Sequence, residues 1–349
     1  LLTLQATTKG FMKNRSIIVS LVLLALVIGV YFLLKKDKVS TLDQQETNFA
    51  VKEIEKIDKI YLRSRIQNTA ALLEKNEAGV WYINGKYPAD MAKVNILLTA
   101  IRDIEVKFPV GKDYWNGVIK NLSSQGVKVE LYSGNKNLRT YYVGGPTPDN
   151  TGTYYYMENA KKPYVNHIEG FQGYMSPRFF VNENDWRSKI FCALPSEEIA
   201  RIEVTWPQDP NASFVIDNTT GKPLLESKLT DKKPINDNKL RAYLNHFDRL
   251  AYEGFPLNMN NKNIDSIYKS PVIFNLKVVP VSGEPINVQL HYKELSHDTY
   301  QQLDMDGVQM PFDIDRFYAF LNNNNKELLL IQDFVFGKVM KKAGDFLMD

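Results

Sequence analysis

"KEIEKIDKIYL", residues 52–62, and "EEIARIEVTW", residues 197–206, decide how this chain is read, because the second restates the first at an offset of about 145. Ile54 and Ile57 match Ile199 and Ile202, and Tyr61 matches Trp206. The segments that follow keep the same order. "MAKVNILLTAIRDIEVKFP" sets Val94, Leu97, Leu98, Ile101 and Ile104 at helical spacing, and "NKLRAYLNHFDRLAYEGFP" repeats the stripe with Leu240, Tyr243, Leu244, Phe247 and Leu250. Phe108-Pro109 returns as Phe255-Pro256, "VKVEL" from Val127 as "FNLKV" from Phe274, and "KPYVNHIEGF" as "MPFDIDRF". A shared order at a nearly constant offset predicts two tandem copies of one α+β unit, 49–191 and 192–325. Each is expected to be an antiparallel sheet with one amphipathic helix packed on a face.

Local signals fill in the unit. "GVWYINGKYPAD" reads as a strand ending at an Asn84-Gly85 turn, with Asp90 as the N-cap of the helix from Met91 and Trp81 as core. The tail 326–349, "KELLLIQDFVFGKVMKKAGDFLMD", reads as a closing amphipathic helix with Gly337 as its weak point.

With 44% hydrophobic and 24% charged residues over 349 positions, the chain has the makings of two proper cores. A formal charge of +3, with lysines scattered among acids, argues against a nucleic-acid partner. The single cysteine, Cys192, rules out an internal disulfide or a cysteine metal cluster and reads as packing.

Upstream, "SIIVSLVLLALVIGVYFLL", residues 16–34, carries no charge and reaches ~28 Å as a helix, near the hydrocarbon thickness of a bilayer. It predicts one uncleaved transmembrane helix in the cytoplasmic (inner) membrane. Residues 1–15 are then a short cytoplasmic tail. Met12 with the "KNRS" after it has the basic start of an anchor, so 1–11 are expected to lie outside the translated frame. The span's flanks nearly balance in charge, and a large domain after a short basic tail is exported, which places residues 35 onward outside the cytoplasm. Residues 35–48 act as a tether.

The stretch richest in possible chemistry is "YYVGGPTPDNTGTYYY", residues 141–156. A phosphate-cradling loop needs a helix at its end, whereas residues 153–157 read as another aromatic strand, and no Gly-Lys-Ser/Thr closes it. Gly144, Gly145, Pro146, Thr147, Pro148, Asp149, Asn150 and Gly152 are therefore read as a stiff, surface-borne contact loop closing a wide hairpin, in which Asp149 has no identified partner. The corresponding stretch of the second copy, "HYKELSHDTYQQ", has neither the glycines nor the prolines. His167, His246, His291 and His297 show no metal-binding spacing, "DMDG" at 304–307 reads as a turn, and Ser176 has no assigned base. Arg178, Asp185 and Arg187 beside Trp186 are expected to form a polar cluster, either an ion-paired joint or a ligand site. No catalytic residue, cofactor or metal is assigned.

These motifs carry a resemblance. "EIEKIDKIYL", "WYINGKYPA", "YYVGGPTPDNTGTYYYM", "YVNHIEGFQGYMSPRFF" and "NDWRSKIF", after a single amino-terminal span, resemble the bacterial envelope family catalogued as domain of unknown function 4340, over essentially everything from Phe49 on. The resemblance implies no established reaction or catalytic residue. Some relatives lie joined to, or beside, auxiliary subunits of ABC-type transporters of the gliding-motility kind, which implies a membrane-assembly role by analogy. The expectation is a non-enzymatic, single-span envelope protein whose duplicated extracytoplasmic domain binds another membrane protein. Its rival is an envelope hydrolase or transferase acting on a glycan or peptide through the 144–152 loop.

Overall fold

The structure, a computed structural model, describes residues 24–26, 44–229, 233–295, 302–303, 306–322 and 327–348. The chain is α+β, with two large antiparallel sheets and short helices. The predicted span 16–34 lies outside the described residues except at 24–26, and among the described residues no helix is long and apolar enough to cross a membrane. By internal contact the chain divides into two compact units, residues 1–70 with 96–181 and residues 71–95 with 182–349.

After a short helix α1 (Gln44–Thr47) come β1 (Lys59–Ser64), β2 (Thr69–Lys75), β3 (Trp81–Ile83), β4 (Tyr87–Pro88), α2 (Met91–Asp103) and β5 (Ile104–Pro109). Helix α3 (Trp115–Gln125), β6 (Val127–Ser133), β7 (Lys136–Pro146), β8 (Thr153–Met157) and β9 (Tyr164–Ile168) complete a nine-stranded sheet ordered β4-β3-β2-β1-β6-β7-β8-β9-β5. Its strands form because apolar residues alternate: Ile60, Leu62, Val129, Leu131, Tyr141 and Tyr155 are buried while the residues on either side of each are not. Val94, Leu97, Leu98 and Ile101 are the buried stripe of α2, whose first turn is capped by Asp90 Oδ1 accepting from Ala92 N at 3.0 Å. Trp81 is core, and Asn84 and Gly85 take φ of 52° and 64°, the left-handed pair of a tight hairpin.

The end of the stretch expected to be a tether, residues 35–48, packs on the first sheet. Glu46 is buried and accepts from Lys161 N at 2.6 Å and from the Tyr164 hydroxyl at 3.1 Å, while the Phe49 ring packs edge-on against Tyr141, Tyr155 and Tyr164. The chain is therefore pinned to the sheet from Glu46 onward.

The second compact unit contains α4 (Glu183–Trp186), β10 (Ile190–Cys192), β11 (Ile199–Thr205), β12 (Phe214–Asp217), β13 (Leu224–Glu226), α5 (Asp237–Leu244) and β14 (Leu250–Ala251). Then follow α6 (Asn261–Lys269), β15 (Val272–Pro280), β16 (Ile286–Tyr292), β17 (Arg316–Leu321), β18 (Leu329–Gln332) and α7 (Asp333–Phe336). Seven of the strands make a sheet ordered β13-β12-β11-β15-β16-β17-β18. Strand by strand this is the order β3-β2-β1-β6-β7-β8-β9 of the first sheet, and the pairings Val127↔Val143 and Phe274↔Leu290 occupy like places. Cys192 is buried in this core, where loss of water pushes its thiol up to about 11.

Two expectations are corrected. Each sheet carries two main helices, not one: α3 and α6 were missed because Gly117 and the polar residues of "WNGVIKNLSSQ" and "NKNIDSIYK" thin the apolar stripe. The tail 326–349 is not an amphipathic helix. Leu329 and Ile331 point into the main core while Leu328 and Leu330 pack with Tyr318 and Phe320 on the opposite face, so the apolar run is a strand buried on both sides. Helix α7 stops at Phe336, and Gly337 follows where a Cβ would lie 2.8 Å from the Asp333 carbonyl oxygen.

Candidate functional site

Strand β7 overruns its pairing with β6 at Val143, so Gly144, Gly145 and Pro146 run on past β6 while Pro146 still pairs with Thr153 of β8. The turn is held by its own side chains. Thr147 N donates to Gly152 O at 2.9 Å, Gly152 N donates to Thr147 Oγ1 at 3.1 Å, and Asn150 N donates to Thr147 O at 2.9 Å with Asn150 at φ 56°. Asp149 is the hub, contrary to the expectation that it lacks a partner. Its Oδ1 accepts from Thr147 Oγ1 at 2.5 Å and Thr151 N at 3.2 Å, and its Oδ2 from Thr151 Oγ1 at 2.6 Å. Those hydrogen bonds, first from Thr147 and then from Thr151, hold the carboxyl well below the usual carboxylate range. Pro148 sits in this turn, and Lys107 Nζ donates to Thr151 Oγ1 at 2.8 Å from outside it.

The glycines divide by purpose. A Cβ on Gly144 would come within 2.5 Å of Leu122 Cδ2, so glycine here lets α3 lie close on β7. On Gly152 it would meet Val165 Cγ1 at 2.5 Å, whereas on Gly145 it would meet nothing within 4 Å. Between α3 and this end of β7 lies a groove of ≈ 630 Å³ lined by Ile66, Val118, Leu122, Pro146 and Tyr154 together with the amides of Asn121 and Gln125. Such a groove can bury an apolar group and satisfy a few hydrogen bonds. The sequence does hold a signal for it: Trp115, Val118, Ile119 and Leu122 recur at helical spacing.

The second predicted cluster is only partly assembled. Arg178 belongs to the first compact unit, where its guanidinium stacks 4.3 Å from the Phe171 ring; Asp185, Trp186 and Arg187 belong to the other. Trp186 is fully buried, its carbonyl accepting from Asp90 N at 2.7 Å, and the Asp185 carbonyl accepts from Lys93 Nζ. Arg187 makes a two-pronged ion pair with Glu327, at 2.6 and 2.9 Å, and lies between the rings of Tyr87 at 3.6 Å and Phe255 at 4.6 Å. Its guanidinium borders a cavity of ≈ 300 Å³ with Tyr252 and Phe191. A cation held by a two-pronged carboxylate and two rings serves as a joint, although its Nε has no partner, and Glu327, 140 residues away, was invisible to sequence spacing. Among the described residues no cluster of histidine, cysteine and acidic side chains has the makings of a metal site.

Residues 81–267 match the family described as Domain of unknown function (DUF4340), more than half of the chain, and the chain belongs to that family. No curated protein and no solved structure matches the chain at a significant level.

Proposed function

From membership of a family whose description assigns no reaction, we propose that this chain is a single-span envelope protein whose extracytoplasmic part, two copies of one α+β unit, is a binding or scaffold module for another membrane protein. The contact surface is the 144–152 turn with the groove beside α3. One observation carries this reading: both oxygens of Asp149, the only acid in the loop, are engaged by Thr147 and Thr151, so the loop presents a braced shape instead of a free acid or base. The common strand order of the two sheets supports the duplication. The same engagement of Asp149 weighs against the rival hydrolase or transferase. An accessory role in membrane transport or gliding-type assembly fits a module of this kind.

The test is a photo-crosslinking residue at Gly145, where a side chain meets open space. Irradiation of native membranes should yield one discrete adduct with a membrane protein, absent when the residue sits instead at Gly221, in a turn of the second unit. Turnover of an envelope glycan or peptide that disappears in a folded Asp149→Ala variant would overturn the scaffold reading. Alkaline phosphatase fused after residue 60 should be active; a silent fusion would refute the extracytoplasmic placement.

A further inference from the structure

The groove beside α3 is lined by two glycines that the fold itself does not require. Gly117 lies in α3 and Gly145 near the end of β7; neither has a positive φ, and a Cβ on either would meet nothing within 4 Å. Gly126 and Gly144, on the same groove, differ: a Cβ on Gly126 would lie 2.5 Å from the Leu122 carbonyl oxygen, and one on Gly144 would lie 2.5 Å from Leu122 Cδ2. Glycine in a helix or strand costs stability relative to alanine, so what Gly117 and Gly145 give in return is width between the two walls. The groove is also furnished for a peptide group. Asn121 and Gln125 stand one turn apart on α3, and Asn121 Nδ2 donates to Gln125 Oε1 at 3.5 Å. Asn121 Oδ1 and Gln125 Nε2, an acceptor and a donor, have no hydrogen-bond partner among the described residues. They complement the N–H and C=O of an extended main chain.

The free charge around the groove has one sign. Ile66, 64% exposed, follows Arg63 and Arg65, which are exposed and have no ion-pair partner among the described residues. The pairings Arg63↔Lys128 and Lys128↔Tyr142 put Arg63 on the sheet face that carries Gly144 and α3. Lys120 is the one charged residue of α3, and Asp149, the one acid of the 144–152 loop, has both oxygens engaged by Thr147 and Thr151. The elements framing the groove all fall in the unbroken described stretch 44–229. The chain enters that stretch on the opposite face, where Phe49 packs on Tyr141 and Tyr155. From this width, hydrogen-bonding pair and charge, we infer that the groove takes an extended peptide segment of the partner. That segment seats one apolar side chain against Leu122 and Tyr154 and carries an aspartate or glutamate within reach of Arg63 and Arg65. The apolar anchor supplies most of the affinity, and the carboxylate–guanidinium pair sets the direction of the segment. The inference rests on the reading of this surface as the partner contact and adds the chemistry of what the partner presents.

The experiment pans a phage-displayed library of random peptides, each about a dozen residues long, against the whole 349-residue chain in detergent micelles, then measures the enriched peptides by fluorescence anisotropy. Enriched peptides should share an apolar residue with an aspartate or glutamate within about four positions of it. Gly117→Leu, whose side chain enters the groove from a position with open space, should weaken them about tenfold while leaving the urea midpoint of unfolding no lower. Reversing the two exposed cations in an Arg63→Glu, Arg65→Glu variant should weaken them about tenfold as well. No enrichment over the Gly117→Leu chain would overturn the inference, as would peptides indifferent to either variant. So would a saturable dodecanoate complex lost in Gly117→Leu without any peptide enriched, which marks an acyl-chain site, or a dimer that Gly117→Leu disperses, which marks a self-contact. A photo-adduct from Gly145 that persists while no peptide binds leaves the partner reading standing and removes this inference. Peptide binding without the adduct does the reverse.

Discussion

Removing the Arg187 guanidinium should destabilise the second unit more than any other single change at a polar site in it. The side chain is 7% exposed, makes two charge-assisted hydrogen bonds to Glu327 and lies against two ring faces. Breaking a buried ion pair on one side costs about 3–5 kcal/mol, and each stacked ring adds about 0.5–1 kcal/mol. Glu327, 32% exposed, recovers hydration when left alone, which pulls the sum back to about 3 kcal/mol for Arg187→Ala. Arg187→Lys keeps the charge but loses the fork and the planar stack, and should cost about 2 kcal/mol. With a urea dependence of about 2–3 kcal/mol per molar, Arg187→Ala should lower the midpoint by about 1–1.5 M. A Trp115→Phe background leaves Trp81, Trp186 and Trp206 as reporters, all within the second compact unit. The reasoning fails if Arg187→Ala shifts that fluorescence transition by less than about 0.3 M, or if the lysine variant is as unstable as the alanine one.

Further outcomes are expected elsewhere in the chain. Gly144→Ala, whose new Cβ would press on buried Leu122, should cost about 1–2 kcal/mol in chemical denaturation, whereas Gly145→Ala, facing open space, should stay within about 0.5 kcal/mol. His291 is buried, its Nδ1 3.0 Å from Ser270 Oγ and its Nε2 without a partner, and burial holds its pKa below the ordinary value despite opposing hydrogen bonds at Ser270 and Pro271. Because the unfolded chain then binds the proton more readily, this contribution is full above about pH 6.5 and falls as the pH drops. Stability measured from pH 7.5 to 5 should decline less steeply in His291→Leu, leaving what His246, also lowered by burial, contributes. The Asp149 carboxyl, with its folded pKa depressed, should keep its carboxylate carbon shift in NMR titration until well below the ordinary range; titration at the ordinary value would show the Thr147 and Thr151 bonds to be absent in solution.

The sequence by itself determined what depends on neighbours along the chain. Alternation fixed strands such as Lys59–Ser64 and Thr153–Met157, the 3.6-residue stripe of Val94, Leu97, Leu98 and Ile101 fixed α2, and Asp90 and Asn84-Gly85 marked its cap and the turn before it. These signals are local, because a side chain's burial there follows from the period of its own element. Tertiary structure decided the rest. Leu329–Gln332 became a strand because apolar partners lie on both of its faces, a circumstance no periodicity encodes. Helices α3 and α6 are held by the sheet beneath more than by their own sparse stripes. Asp149 gained its role only when the turn brought Thr147 and Thr151 onto its two oxygens, and Arg187 only when folding closed 140 residues to set Glu327 against it. Hydrogen bonds and ion pairs act over about 3 Å, so their partners are fixed by where the backbone goes, and that path is settled by the packing of the whole unit.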